Sequence, residues 1–120
     1  MLSGTRRPAW AVVLLGLALY AAVSARGDEP EKKAKMIYYS GKVQGVGFRA
    51  AAADIAKDYP VTGWVKNLPD GRVQLLVEGP ENAVDKFLKA VRTRWKDNIE
   101  KEKTEEQTVS GKFKSFDVVK

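Results

Sequence analysis

Neither cysteine nor histidine occurs anywhere in the 120 residues. Their absence excludes disulfides, thiolate nucleophiles, a cysteine-borne lipid anchor, Ser-His triads and most zinc sites. Any chemistry must then run on Arg, Lys, Asn, Asp, Glu, Ser, Thr or Tyr side chains, or on backbone amides. Acidic residues are outnumbered by basic ones, 15 against 21, for a net charge of +6. Part of that excess is Arg6 and Arg7, so the remainder of the chain is only modestly basic. Such a balance favours anionic ligands and does not by itself indicate nucleic acid. What is present is ordinary: a hydrophobic fraction of 44% argues against wholesale disorder, and the length leaves room for one domain.

The long hydrophobic run sits at the start. Arg6 and Arg7 form a positive lead, Ala9 to Val23 is uncharged and apolar, and Val23-Ser24-Ala25 resembles a small-residue cleavage site. This is the layout of a signal peptide over residues 1–25, and the run is short for a membrane span. The expectation is export to the periplasm or beyond, with no membrane attachment after cleavage. An uncleaved anchor is the competing reading. Thr5-Arg6-Arg7 leaves open a twin-arginine route beside an ordinary charged lead. Residues 26–34 are charged, broken by Pro30 and aperiodic, which reads as a solvated linker before a domain at 35–120.

Within that domain the hydrophobic period switches between two and 3.6. Met36 to Val43 reads as a strand. Phe48, Ala51, Ala52, Ile55, Ala56 and Tyr59 fall at i, i+3, i+4, i+7, i+8 and i+11 of a helix that Pro60 stops. Val61 to Asn67 is a second strand, Leu68-Pro69-Asp70-Gly71 a turn, and Arg72 to Glu78 the returning strand, with Val73, Leu75 and Val77 alternating. Pro80 is expected at the first position of a second helix carrying Val84, Phe87, Leu88, Val91 and Trp95 on one stripe. The charged stretch from Asn98 to Val109 contains a possible strand, and Phe113 to Val119 a short final one. The order β-α-β-β-α-β with an added C-terminal strand predicts an α+β, ferredoxin-like sandwich. Its sheet is expected to be antiparallel, with both helices on one face.

Chemistry is expected between the first strand and the first helix. In Gln44-Gly45-Val46-Gly47-Phe48-Arg49 the two glycines permit positive φ, so several N–H groups can converge on one concavity. The loop runs into a helix N-terminus, whose free N–H groups and dipole attract an anion. Arg49 in the first turn opposes that dipole, and the position makes sense if its guanidinium grips the same anion with a two-point fork. On these residues alone the loop is also readable as a plain turn, Arg49 as a surface arginine, and Asn67 as a hairpin residue. The Lys-Ser/Thr of a nucleotide P-loop is missing.

Tyr39-Ser40-Gly41-Lys42-Val43-Gln44-Gly45-Val46-Gly47-Phe48-Arg49 resembles the first signature of the acylphosphatases. Gly63-Trp64-Val65-Lys66-Asn67, followed by Asp70-Gly71-Arg72-Val73 and Gly79, resembles the second. The resemblance implies the ferredoxin-like fold and metal-free, cofactor-free hydrolysis of the carboxyl–phosphate anhydride of small acyl phosphates, without a covalent intermediate. It implies that Arg49 and the loop amides hold the phosphoryl group and that Asn67 orients the attacking water. A protein without His or Cys can run this mechanism, because phosphoryl transfer depends mainly on positioning and charge stabilisation. Phe48 and Trp64 are expected in the core, and Lys42 and Lys66 beside the site. The expected ligands are an acyl phosphate and inorganic phosphate, and the expected state is a monomer.

The sequence departs from the pattern at Arg94-Trp95-Lys96-Asp97-Asn98, where family members commonly carry Gly-Pro. That departure bears on the packing of the last strands more than on the site. Export is also unusual for a family whose substrates are chiefly cytoplasmic. Two other functions compete. One is a non-catalytic module that keeps the anion cradle. The other is an RNA-binding sheet, which would need paired aromatics on exposed central strands beside a basic face, and lacks the matching motif. No nucleic-acid partner is expected.

Overall fold

The computed structural model describes residues 31–120. The expected signal peptide or anchor at 1–25, and the first part of the linker, lie outside the described residues. Seven elements follow in order: β1 (Lys32–Gly41), α1 (Phe48–Ala56), β2 (Thr62–Asn67), β3 (Val73–Pro80), α2 (Glu81–Arg94), β4 (Ile99–Gln107) and β5 (Phe116–Val118). The strands form one sheet in the order β4-β1-β3-β2-β5. This is the ferredoxin-like α+β arrangement with a strand added at the β2 edge.

Alternation on β1 and β3 turns Ile37, Tyr39, Val73, Leu75 and Val77 toward the helices, and each is essentially buried. α1 closes over them with Phe48, Ala52 and Ala56, and α2 with Val84, Phe87, Leu88 and Val91. Full burial of such side chains contributes about 1.5–3 kcal/mol each. Glu81 in the first turn of α2 and Arg92 and Arg94 in its last complement the helix dipole.

Several boundaries and placements differ from expectation: α1 stops at Ala56 and not Tyr59, β3 runs on to Pro80, and β5 is trimmed to Phe116–Val118. β1 begins at Lys32, inside the stretch read as linker, because Lys32 to Ala34 pair with Pro80 to Glu78 and Ala34 is buried. Its charged residues suggested solvent, but the ladder and Ala34 hold the strand there. Pro80 caps α2 with φ −57° and ψ 140° instead of entering it, since it also closes the ladder opposite Lys32. Trp64 faces the helix-free side of the sheet, half-buried, with the Lys66 ammonium 5.2 Å from its ring centroid. Its neighbours Gly63 and Val65 take the buried positions. Finally, the sheet is mixed, because β5 pairs parallel to β2, Val118 opposite Val65.

The parallel strand follows from the route of the chain. β4 runs from Gly41 toward Ala34 and so ends at the far end of the sheet from the glycine-rich loop. Residues 108–115 carry the chain across at that end, and β5 must then run back alongside β2. Glu78 fastens the crossing. Its carboxylate accepts bonds from the Ser110 N–H (3.1 Å), the Ser110 hydroxyl (2.8 Å) and the Gly111 N–H (3.1 Å). Burial pushes the Glu78 carboxyl up, but these bonds outweigh it and hold the group below its ordinary value. The crossing thereby returns Val118 to the end of the sheet where the loop lies.

Candidate functional site

The loop between β1 and α1 takes its shape from two glycines. Gly45 has φ +73° and Gly47 φ +89°, in the left-handed region that side chains resist. A Cβ at either would meet nothing within 4 Å, so conformation and not crowding demands glycine, and space in front of the loop stays open. Gly47 is also the N-cap of α1, and no side chain caps that helix. No acidic residue stands in its first turn. The first N–H groups of α1 therefore face outward with the positive end of the dipole behind them.

Phe48 seals the junction. It is 1% exposed, with its ring 5.0 Å from Tyr39 and 5.3 Å from Trp95 between centroids. With Phe48 locked inward, Arg49 follows on the rim of a cavity of about 170 Å³ lined by Val43, Gly45, Gly47, Phe48, Arg49, Ala50 and Val118. That volume is several times the ~30 Å³ of a liquid water. Among the described residues no carboxylate pairs with Arg49. Val46 projects outward at 38% exposure.

Gln44 does something the sequence did not disclose. Its side-chain amide donates to the carbonyls of Leu68 and Arg72, both at 2.8 Å. The loop is thereby tied to the β2–β3 turn, and Gln44 serves to fix the loop's middle. Asn67, the last residue of β2, directly precedes Leu68 and so is held to the loop through this clamp. Asn67 does not line the 170 Å³ cavity. Its Oδ1 is buried without a hydrogen-bond partner. An orphaned acceptor of this kind is unusual in a folded protein, where buried polar atoms are nearly always paired. As the side chain stands, this oxygen is enclosed by the protein and can only accept a hydrogen bond.

The remaining polar groups near the loop are poor acid–base candidates. The Tyr39 hydroxyl is buried and unpaired. Burial pushes its pKa up, Glu102 adds to the rise and Arg92 opposes it, so it stays a neutral phenol. Val118 was missed by sequence reasoning, since only the parallel pairing of β5 shows that this strand ends at the cavity. Among the described residues no group of three or more His, Cys, Asp or Glu is placed to hold a metal.

The helix-free face carries one aromatic on a central strand, Tyr38, and Trp64 on β2. Each is already covered by a cation of this chain, Arg72 at 4.8 Å and Lys66 at 5.2 Å from the ring centroids. The paired, free aromatic platform of a nucleic-acid-binding sheet is therefore not formed there.

Comparison with known proteins bears on the family and the fold. The sequence model of the family described as Acylphosphatase matches residues 35–118. An acylphosphatase of Rubrobacter xylanophilus is 38% identical over 94 residues, covering 73% of this chain and 81% of that protein. One from Archaeoglobus fulgidus is 53% identical over 57 residues, covering 48% of this chain and 64% of its own length. The crystal structure of acylphosphatase from Bacillus subtilis superposes with a TM-score of 0.66 at 34% identity, covering 73% of this chain and 99% of that one.

Proposed function

This chain belongs to the acylphosphatase family, and from that premise we propose that it hydrolyses the carboxyl–phosphate anhydride of small acyl phosphates. Water attacks phosphorus as the bond to the acyl oxygen breaks. The carboxylate leaves, and inorganic phosphate remains on the cradle until it is released. The observation that carries this reading is the convergence, on one cavity, of an uncapped helix N-terminus, two glycines at positive φ and an ion-unpaired Arg49. These groups match the three equatorial phosphoryl oxygens, on which charge spreads in the transition state. Arg49 supplies the planar two-point fork, and the amides from Gly45 to Arg49 supply the rest. Asn67, the asparagine of the second motif, orients the attacking water.

Purified chain is expected to hydrolyse benzoyl phosphate, and to keep that activity in EDTA. Neither motif holds an acidic cluster, and the cradle is built from N–H groups and a guanidinium, which attract anions and not cations. Absence of turnover would leave a phosphate-binding module as the correct reading. Turnover abolished by EDTA and restored by Mg²⁺ would show a metal step.

We further propose that the protein acts outside the cytoplasm as a monomer, without a nucleic-acid partner. Support for export is the Arg6-Arg7 lead, the apolar run from Ala9 to Val23 and the small residues ending at Ala25. Among the described residues no helix is long and apolar enough to cross a membrane. N-terminal sequencing of the exported protein is expected to begin near Arg26. A start at Met1 with retention in the membrane fraction would mean an anchor.

A further inference from the structure

The turn that follows α2 departs from the family pattern, and it touches the glycine-rich loop at two points. At one end the Trp95 ring is buried, 6% exposed, against Phe48, the residue by which the loop enters α1. At the other, Asn98 grips Lys42, where the loop leaves β1. Its Nδ2 donates to the Lys42 carbonyl at 2.9 Å, and its own carbonyl accepts the Lys42 N–H at 2.9 Å. The turn is closed on itself, since the Trp95 carbonyl accepts from both Asn98 N–H (2.9 Å) and Ile99 N–H (3.0 Å).

β1 is shaped to admit this grip. The β1–β4 register slips between Ser40 and Gly41. Gly41 sits at φ +122°, and a Cβ there would lie 2.3 Å from the Asn98 carbonyl oxygen and 2.7 Å from the Glu100 nitrogen. Only glycine lets Asn98 approach so closely.

We propose that Trp95 to Asn98 form the brace that sets the anion loop, and that Asn98 is a positioning residue for phosphate binding. The inference rests on the reading of the loop as a phosphate cradle. Gln44 ties the middle of the loop to the β2–β3 turn, and Trp95 packs its exit. The side-chain bond of Asn98 fixes its entry, and with it the direction of the amides that follow. Because those amides hold the phosphoryl group before and during reaction, loosening them weakens binding more than turnover.

The test is the affinity of the full chain for inorganic phosphate, by calorimetry, beside steady-state hydrolysis of benzoyl phosphate. Asn98→Ala is expected to raise the phosphate Kd and the KM about three- to tenfold, the range of one net hydrogen bond. Its kcat should stay within about twofold. Asn98→Asp keeps the shape and replaces the donor with an acceptor facing the Lys42 carbonyl. Its Kd, relative to wild type at each pH, should be raised at pH 7. It should recover below about pH 4, where a protonated carboxyl can donate again. Arg92→Gln is the control, because it breaks the pair that ties α2 to β4 through Glu102 (2.8 Å) without touching the loop. It should leave the phosphate Kd unchanged. An unchanged Kd in Asn98→Ala, or an equal loss in Arg92→Gln, overturns the brace. The hydrolytic reading fails separately, if wild type binds phosphate but turns over no benzoyl phosphate.

Discussion

Arg49→Ala is expected to lower the turnover of benzoyl phosphate by about 10³- to 10⁵-fold, the worth of an arginine that serves a phosphoryl-transfer transition state. Affinity for inorganic phosphate should fall with it. Arg49 is the second residue of α1, placed where a cation opposes the helix dipole by a few tenths of a kcal/mol. Among the described residues no carboxylate compensates it. A bound phosphoryl group would repay that cost, since the same guanidinium and the same N–H groups then share one anion. Arg49→Lys should fare nearly as badly, because an ammonium cannot reproduce two parallel N–H bonds. Arg49 is half-buried and outside the hydrophobic core, so both variants should keep the far-UV circular dichroism of wild type. A folded Arg49→Ala variant that retains turnover or phosphate affinity would remove the arginine from the mechanism.

The residues legible in the sequence are those whose role is local. Gly45 and Gly47 announce positive φ, the spacing from Phe48 to Tyr59 announces α1, which stops a turn earlier at Ala56, and the alternation of Val73, Leu75 and Val77 announces β3. What stayed hidden depends on partners far along the chain. Gln44 reads as one more loop residue until Leu68 and Arg72, 24 and 28 positions away, present their carbonyls to it. Asn98 reads as part of a charged surface until the slip at Gly41 brings Lys42 within reach. β4 itself is nearly mute, because it is an edge strand with no fully buried residue, and only Ile99 packs against the core. Edge strands of this charged kind are protected from unwanted pairing, and that protection erases the alternation that would reveal them. Val118 is invisible for a topological reason, since its place at the cavity is fixed by the crossing that Glu78 holds at the opposite end of the sheet. The backbone conformation of the glycine-rich loop was therefore readable from its residues, whereas the clamps that give it one shape were not.

Asn67→Ala should separate water from phosphate. Asn67 closes β2 opposite Val73, and its Oδ1 is buried with no partner. If that oxygen orients the nucleophile, its loss should cost about 10² to 10³ in kcat, by comparison with removal of one positioned polar group. Phosphate is held on the other part of the site, by the loop and Arg49, so its Ki as a competitive inhibitor should be nearly unchanged. Stability gives an independent readout with the opposite sign. A buried acceptor left unpaired costs about 1–3 kcal/mol, and alanine removes it while the β2–β3 ladder persists. Asn67→Ala should therefore unfold at the same temperature as wild type or higher, while its turnover collapses. That combination is the signature of a group kept for function at the expense of stability. A variant that melts earlier would mean that Asn67 is a structural hairpin residue after all. If phosphate affinity falls as far as in Arg49→Ala, Asn67 belongs to the cradle, and the water must be oriented by another group.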